Sequence, residues 1–142
     1  MKLKTVFLCL VMMLSGGAFA EANRHSHKPS GDKQAQMAMS KKMMVPGYCE
    51  IEIINRSYEP VHVTGNFIDG DWLDAFDIYP YEYPHYISLS YFGCQPGMYL
   101  TISNFNGYVL YTGYTPVYQT LVIEPIFGQK HASVKLTPKS AK

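Results

Sequence analysis

The chain has 142 residues, and its 12 Lys and Arg against 11 Asp and Glu give a formal net charge of only +1. This length suits one small domain, and this balance excludes a strongly basic protein. The charge is nevertheless segregated: between residues 48 and 127 nine acids accompany the single base Arg56, a net charge of −8, while both flanking segments are basic. Phosphate binding requires a basic face, so we expect no nucleic-acid partner for the central part.

Residues 1–20 have the layout of a cleaved secretory signal peptide. Two lysines precede an apolar run over 6–14, and this run is too short to cross a bilayer. Overlapping Ala-x-Ala sites end at Ala20 and Ala22, so we expect cleavage after one of them. No second apolar stretch reaches the roughly 20 residues that a membrane helix needs. The sequence predicts export to a periplasmic or extracellular compartment without a transmembrane segment.

Residues 21–47 are predicted to form a flexible basic arm, because aromatic and β-branched residues are scarce there. A short helix over 32–44 is compatible with the composition, and Ser30 would cap it. Pro46 and Gly47 would end this helix and open the folded domain.

The stretch over 48–55 alternates strictly, which predicts a strand with Cys49, Ile51 and Ile53 on its apolar face. Removal of the signal peptide leaves two cysteines, and an even number in an oxidising compartment favours a bridge. We therefore predict a disulfide between Cys49 and Cys94. Closing a loop of about 45 residues would contribute roughly 4 kcal/mol.

Further strand-like runs follow at intervals of about twelve residues, with turn residues between them. They cover 61–67, 72–79, 86–92, 98–105, 108–114 and 120–124, and Asn106-Gly107 is the strongest hairpin signal. No helical pattern separates them. The sequence thus predicts a small antiparallel β-sandwich of seven or eight short strands over 48–127, with a small β-barrel as the alternative. A basic C-terminal segment, 128–142, would add an edge strand over 132–137.

All twelve tyrosines lie between residues 48 and 118, and they are densest over 79–86. Tyrosine combines a rigid apolar area with a polar tip, which suits recognition surfaces. Two prolines in this stretch disfavour a central strand and predict a stiff exposed loop. The predicted binding residues are Tyr79, Tyr81, Glu82, Tyr83, His85 and Tyr86.

These features favour a non-enzymatic binding module that presents a tyrosine- and aspartate-rich surface to a protein or glycan partner. No catalytic or cofactor-binding motif occurs, so we expect neither an enzyme nor a bound cofactor. His62 and His85 are interpreted as surface histidines, each of which could pair with an aspartate.

The alternative function is that of an exported metal-binding protein. The carboxylates at Asp69, Asp71, Asp74 and Asp77 could bind calcium, which prefers several oxygen ligands. His25 and His27 lie in a methionine-rich arm, and imidazole and thioether groups are copper ligands. The aspartates and the histidines are thus predicted to form two separate candidate sites, one for calcium and one for copper.

Overall fold

The computed structural model describes residues 23–27, 49–129 and 131–139 of the chain. These residues are all β, as predicted, and the strands are β1 (Arg24–Ser26), β2 (Glu50–Asn55), β3 (Val61–Phe67), β4 (Trp72–Ile78), β5 (His85–Ser88), β6 (Gly97–Asn104), β7 (Val109–Pro116), β8 (Gln119–Pro125) and β9 (Ala132–Pro138). The predicted signal peptide and the candidate helix over 32–44 lie outside the described residues.

The strands form two sheets that pack face to face. Sheet A has the order β1-β5-β2-β8-β9, and sheet B has the order β4-β3-β6-β7. The β-sandwich prediction is confirmed, and the barrel alternative is wrong because the two sheets do not close on each other. The pairing is antiparallel except between β1 and β5 and between β2 and β8, which are parallel. Alternation predicts which face of a strand is buried, but not the direction of its neighbour.

The core lies between the sheets and consists of alternate residues of the strands, as a side-chain period of two requires. Burying a large aliphatic side chain contributes about 1.5 to 3 kcal/mol. The buried cluster comprises Cys49, Ile51, Ile53, Val61, Val63, Phe67, Leu73, Ile78, Ile87, Leu89, Met98, Leu100, Ile102, Leu121 and Ile123.

The predicted disulfide is confirmed. Cys49 and Cys94 are bonded, with their Cα atoms 5.5 Å apart. Cys49 precedes β2 and is fully buried, whereas Cys94 lies in the loop between β5 and β6. The strand predicted over 86–92 ends at Ser88, so the bridge fastens an irregular segment to the start of β2.

The hairpin predicted at Asn106-Gly107 joins β6 to β7, and Gly107 has a φ of +81°. Glycine adopts this left-handed conformation without steric cost. The predicted C-terminal edge strand is also present, as β9 at the margin of sheet A. The turn residues and the alternating pattern therefore predicted both the hairpin and the edge strand correctly.

The predicted flexible arm is wrong at its beginning, because Arg24–Ser26 form β1 and pair with β5. The amide nitrogen of Tyr86 donates to the carbonyl oxygen of Asn23 at 2.9 Å, which extends this pairing by one residue. A segment of this composition is expected to be disordered because it cannot form a hydrophobic core of its own. Arg24–Ser26 are nevertheless ordered because they pair with β5 of the folded domain.

The outer face of sheet A carries an ion cluster around Glu50, whose carboxylate is only 2% exposed. Arg24 donates to one oxygen at 3.2 Å, and Lys139 donates to the other. A buried carboxylate requires such partners to offset its lost hydration. The cluster therefore fastens β1 and the residue after β9 to the centre of sheet A.

Candidate functional site

The strands β2, β4, β6 and β8 all end at the same end of the sandwich, so the four loops that follow them lie together there. Val61 at the start of β3 pairs with Ile78 and with Asn104, the last residues of β4 and β6. In sheet A, Asn55 at the end of β2 lies beside Ile123 of β8. The loops after β2, β4, β6 and β8 are residues 56–60, 79–84, 105–108 and the described part of 126–131. We call them the tyrosine end.

The tyrosine end carries seven exposed aromatic side chains. An exposed apolar group alone is ordinary, but a concentration of such groups is typical of an interaction surface. Tyrosine rings add contact area at a low cost in side-chain entropy. The seven are Tyr58, Tyr79, Tyr81, Tyr83, Phe105, Tyr108 and Phe127.

Asn55 is buried and joins three segments of this end. Its Nδ2 donates to the carbonyl oxygens of Glu59 and Ile78, both at 2.9 Å. Its Oδ1 accepts from the amide and the hydroxyl of Ser57, at 2.9 and 2.6 Å. The carbonyl oxygen of Asn55 also accepts from the amide of Tyr81 at 2.9 Å. One side chain and its backbone thus position the loops that carry the exposed tyrosines.

Asn104 is the second buried asparagine and holds the loop over 105–108. Its Oδ1 accepts from the amides of Asn106 and Tyr108, at 3.1 and 2.9 Å. The ring of Tyr108 stacks on His131, with ring centroids 4.1 Å apart. Beside them lies a cleft of about 60 Å³ whose walls include Tyr58 and His131. Ligand pockets usually measure several hundred Å³, so this cleft is smaller than a typical ligand pocket.

The predicted exposure of the tyrosine loop is confirmed. Tyr81 and Tyr83 are 65% and 81% exposed, and Tyr79 is exposed as well. Tyr81 adopts a left-handed φ of +59°, which is uncommon for a bulky residue and is maintained here by its hydrogen bond to Asn55. Whether these rings bind a partner stays a prediction.

The interpretation of His85 as a surface histidine is wrong. Its ring is buried, its Nε2 lies 2.6 Å from Oε1 of Glu82, and its Nδ1 lies 2.9 Å from Nε2 of His25. His25 stacks on Phe76 of sheet B at 3.4 Å between ring centroids. His85 and Ile87 share the inward face of β5, where the rings of His25 and Phe76 lie against the histidine. Extending the alternation by one residue would have predicted this.

Glu82 and Tyr86, the other two predicted binding residues, are also engaged within the protein. Glu82 is partly exposed but bonds to His85. The charged groups of Arg24 and Lys139 lie over the face of the Tyr86 ring, 5.3 and 5.0 Å from the ring centroid. Burial, followed by the carboxylates of Glu52 and Glu50, raises the pKa of the Tyr86 phenol. Tyr86 therefore belongs to the ion cluster on sheet A.

Lowering the pH is expected to weaken the attachment of β1. Burial, followed by the neighbouring His85, lowers the pKa of His25 from 6.5 to about 4, and Asp74 opposes this shift. Between these values the unfolded chain binds a proton that the folded chain does not. Stability should therefore fall as the pH drops from about 6.5 to about 4, and the contribution of His25 should be constant above that range.

Urea unfolding of the wild type and His25→Phe, followed between about pH 8 and pH 4, measures this effect. Phenylalanine can stack on Phe76 without titrating, so we expect a smaller loss of stability for the variant below about pH 6.5. The two proteins should respond alike between about pH 7 and pH 8. Identical pH dependence throughout would contradict the prediction.

A second aromatic group lies on the outer face of sheet B. Trp72 pairs with Asn66, Asn66 with Tyr99, and Tyr99 with Tyr114, one row across all four strands. The rings of Tyr99 and Tyr114 meet edge to face, 5.5 Å apart, and all three aromatic side chains are exposed. We call Trp72, Tyr99 and Tyr114 the aromatic row. It lies far from the tyrosine end, near the other ends of β3 and β6.

The candidate metal ligands are divided among three places. His27 of the arm meets Asp69 and Asp71 of the turn between β3 and β4. His25 is engaged with His85, and Asp77 pairs with His62 at 2.7 Å on the exposed face of sheet B. Pairing of His62 with an aspartate is therefore confirmed. Asp74 is exposed on β4, and its charge opposes the lowering of the His25 pKa.

Sequence reasoning missed Asn55 and Asn104. Each ends a strand and precedes a turn, where an asparagine side chain often accepts a hydrogen bond from the backbone two residues later. That signal could have identified Ser57 and Asn106 as local partners. It could not have identified the longer-range contact of Asn55 with Ile78.

No protein-family model matches the chain, and no curated protein or solved structure is significantly similar to it. Within the described residues, no helix is long and apolar enough to cross a membrane. Function must therefore be inferred from the geometry of this protein.

Proposed function

We propose that the protein is an exported, non-enzymatic binding module that recognises a protein or glycan partner through the tyrosine end. The observation that carries this proposal is the grouping of seven exposed aromatic side chains on four adjoining loops. The Cys49–Cys94 bridge supports export, because disulfides persist in oxidising compartments.

The hydrogen bonds that hold these loops in place favour a binding role for them. Asn55 and Asn104 hold the backbone on which the rings stand, and two prolines restrict the loop over 79–84. A surface that is already ordered loses little entropy when a partner binds. Rigid aromatic side chains on such loops supply much of the binding energy at recognition surfaces.

A protein is the better-fitting partner for this end. The adjoining cleft is too small to enclose a sugar chain, and charged groups on the loops are few, chiefly Arg56, Glu59 and Glu82. Depletion of charge and enrichment in tyrosine are typical of the central part of protein–protein interfaces.

Truncation of Tyr81 and Tyr83 tests the proposal. Partners would first be captured with the mature chain from an extracellular protein fraction and from a glycan array, and their affinities measured by calorimetry. The double substitution to alanine should weaken binding by about 2 kcal/mol or more. Since both rings are exposed, it should change the free energy of unfolding by less than about 1 kcal/mol.

Tyr99→Ala combined with Tyr114→Ala is the matched control, because it removes two exposed tyrosines from the aromatic row. We expect this control to bind the partner like the wild type. Unchanged affinity after truncation of Tyr81 and Tyr83 would refute the proposal. Unfolding of that variant would contradict the expected small change in stability.

Glycan binding at the aromatic row is the second candidate function, favoured by the exposure of its three rings on one face of sheet B. Trp72 and Tyr99 lie two strands apart, about 10 Å, and their faces could stack on successive sugars of an extended chain. Trp72→Ala with Tyr99→Ala should then abolish retention on an insoluble polysaccharide, while the Tyr81 and Tyr83 variant should be retained. The opposite result would assign the glycan to the tyrosine end.

A further inference from the structure

His27, Asp69 and Asp71 converge at the end of the sandwich opposite the tyrosine end. Nε2 of His27 lies 2.8 Å from Oδ2 of Asp69 and 3.2 Å from Oδ2 of Asp71. The imidazole is 2% exposed and stacks on Tyr91, with centroids 4.1 Å apart. Phe67 packs against it at 4.5 Å. Its nitrogen is therefore held in one position, directed at two carboxylates.

The hydrogen bonds within this cluster leave polar atoms unsatisfied. Nε2 carries at most one proton, which cannot serve both carboxylates well. Among the described residues, the buried Oδ2 of Asp71 and Nδ1 of His27 have no hydrogen-bond partner. A buried oxygen without a donor loses its hydration and gains no hydrogen bond in return. Two carboxylates around one imidazole nitrogen suit a divalent cation better than a single proton.

We infer that His27, Asp69 and Asp71 bind a divalent transition-metal ion, for which Zn²⁺ is the best match. Calcium prefers six or more oxygen ligands, whereas zinc combines imidazole nitrogen with carboxylate oxygen. Ligand atoms about 2.0 to 2.2 Å from zinc at tetrahedral angles lie roughly 3.3 to 3.6 Å apart. The three ligand atoms here lie within 4.8 Å of one another, so small side-chain movements suffice.

The surroundings allow an ion to enter. The two carboxylates are partly exposed, at 34% and 26% of their side-chain surface, while the histidine is buried behind them. Three protein ligands leave a fourth position for water. The bound ion would connect His27, directly after β1, to the turn that joins β3 to β4. Metal binding would thus fasten the start of the mature chain to sheet B, a role separate from recognition at the tyrosine end.

Equilibrium dialysis of the mature protein against Zn²⁺, with metal analysis, tests this inference. We expect one saturable Zn²⁺ per chain and a zinc-dependent rise in the melting temperature. Asp71→Asn, which preserves size, should weaken binding at least about tenfold, and His27→Ala at least about a hundredfold, since each removes a ligand. At the same Zn²⁺ concentration the zinc-dependent rise should then be smaller for Asp71→Asn and smallest for His27→Ala.

His62→Ala is the matched control, because His62 and Asp77 form an equally close pair with a single carboxylate on an exposed face. It should bind Zn²⁺ like the wild type. Circular dichroism of Asp71→Asn would establish that the loss of binding is not a loss of fold. Absence of saturable Zn²⁺ binding would overturn the inference, as would unchanged binding in both ligand variants. Calcium binding of equal affinity that survives His27→Ala would also overturn it.

Discussion

Replacing Cys94 with serine is expected to lower the free energy of unfolding by about 2 to 5 kcal/mol. The bridge connects the loop between β5 and β6 to the start of β2, 45 residues away in sequence. Its removal gives the unfolded chain more conformational freedom. Cys49→Ser should cost at least as much, because Cys49 is fully buried and its replacement places a hydroxyl in the core.

Urea unfolding of the mature protein with and without a reductant measures this effect. Reduction should lower wild-type stability to about that of Cys94→Ser and should leave the variant unchanged. Thiol titration under denaturing, non-reducing conditions provides the chemical control. Two titratable thiols in the mature wild type would contradict the bridge.

Asn55→Asp is expected to destabilise the protein by about 3 to 5 kcal/mol and to abolish binding at the tyrosine end. The substitution removes the two N–H groups that bond to Glu59 and Ile78 and places a carboxylate against their carbonyl oxygens. Asn55 is 1% exposed, so this charge would be buried without a partner. The loops over 56–60 and 79–84 would lose their common support.

Asn106→Asp is the matched control, since Asn106 lies exposed on the turn of the same end. We expect it to change stability by less than about 0.5 kcal/mol. Urea unfolding gives both stabilities, and binding to the captured partner gives the functional effect. Equal stability of the two variants would show that the Asn55 hydrogen bonds do not hold the loops.

The tyrosine end and the His27 cluster lie at opposite ends of β1 and can be tested independently. Asn23 contacts the carbonyl oxygen of Tyr83 at one end of this segment, and His27 meets Asp69 and Asp71 at the other. Substitutions at well-separated sites usually have additive effects. Loss of zinc binding in Asp71→Asn should therefore leave partner affinity unchanged unless β1 detaches.

The sequence alone determined the features that depend on neighbouring residues. Alternation assigned Ile51 and Ile53 to the core, and Asn106-Gly107 placed the hairpin between β6 and β7. Prolines at 80 and 84 predicted that Tyr81 and Tyr83 would be exposed, because proline cannot donate to a sheet ladder. With two cysteines expected to remain after cleavage of the predicted signal peptide, the pairing of Cys49 with Cys94 had no intramolecular alternative.

Only the tertiary structure decided which distant segments meet. The pairing of β1 with β5 buries His85 beneath His25 and directs His27 to two aspartates more than 40 residues away. It also brings His27, one residue of the predicted copper site, to Asp69 and Asp71, two residues of the predicted calcium site. Side-chain periodicity specifies the face of a strand but neither its partner nor its register. Those choices depend on the edge that the folded domain offers, and they determine which polar groups converge.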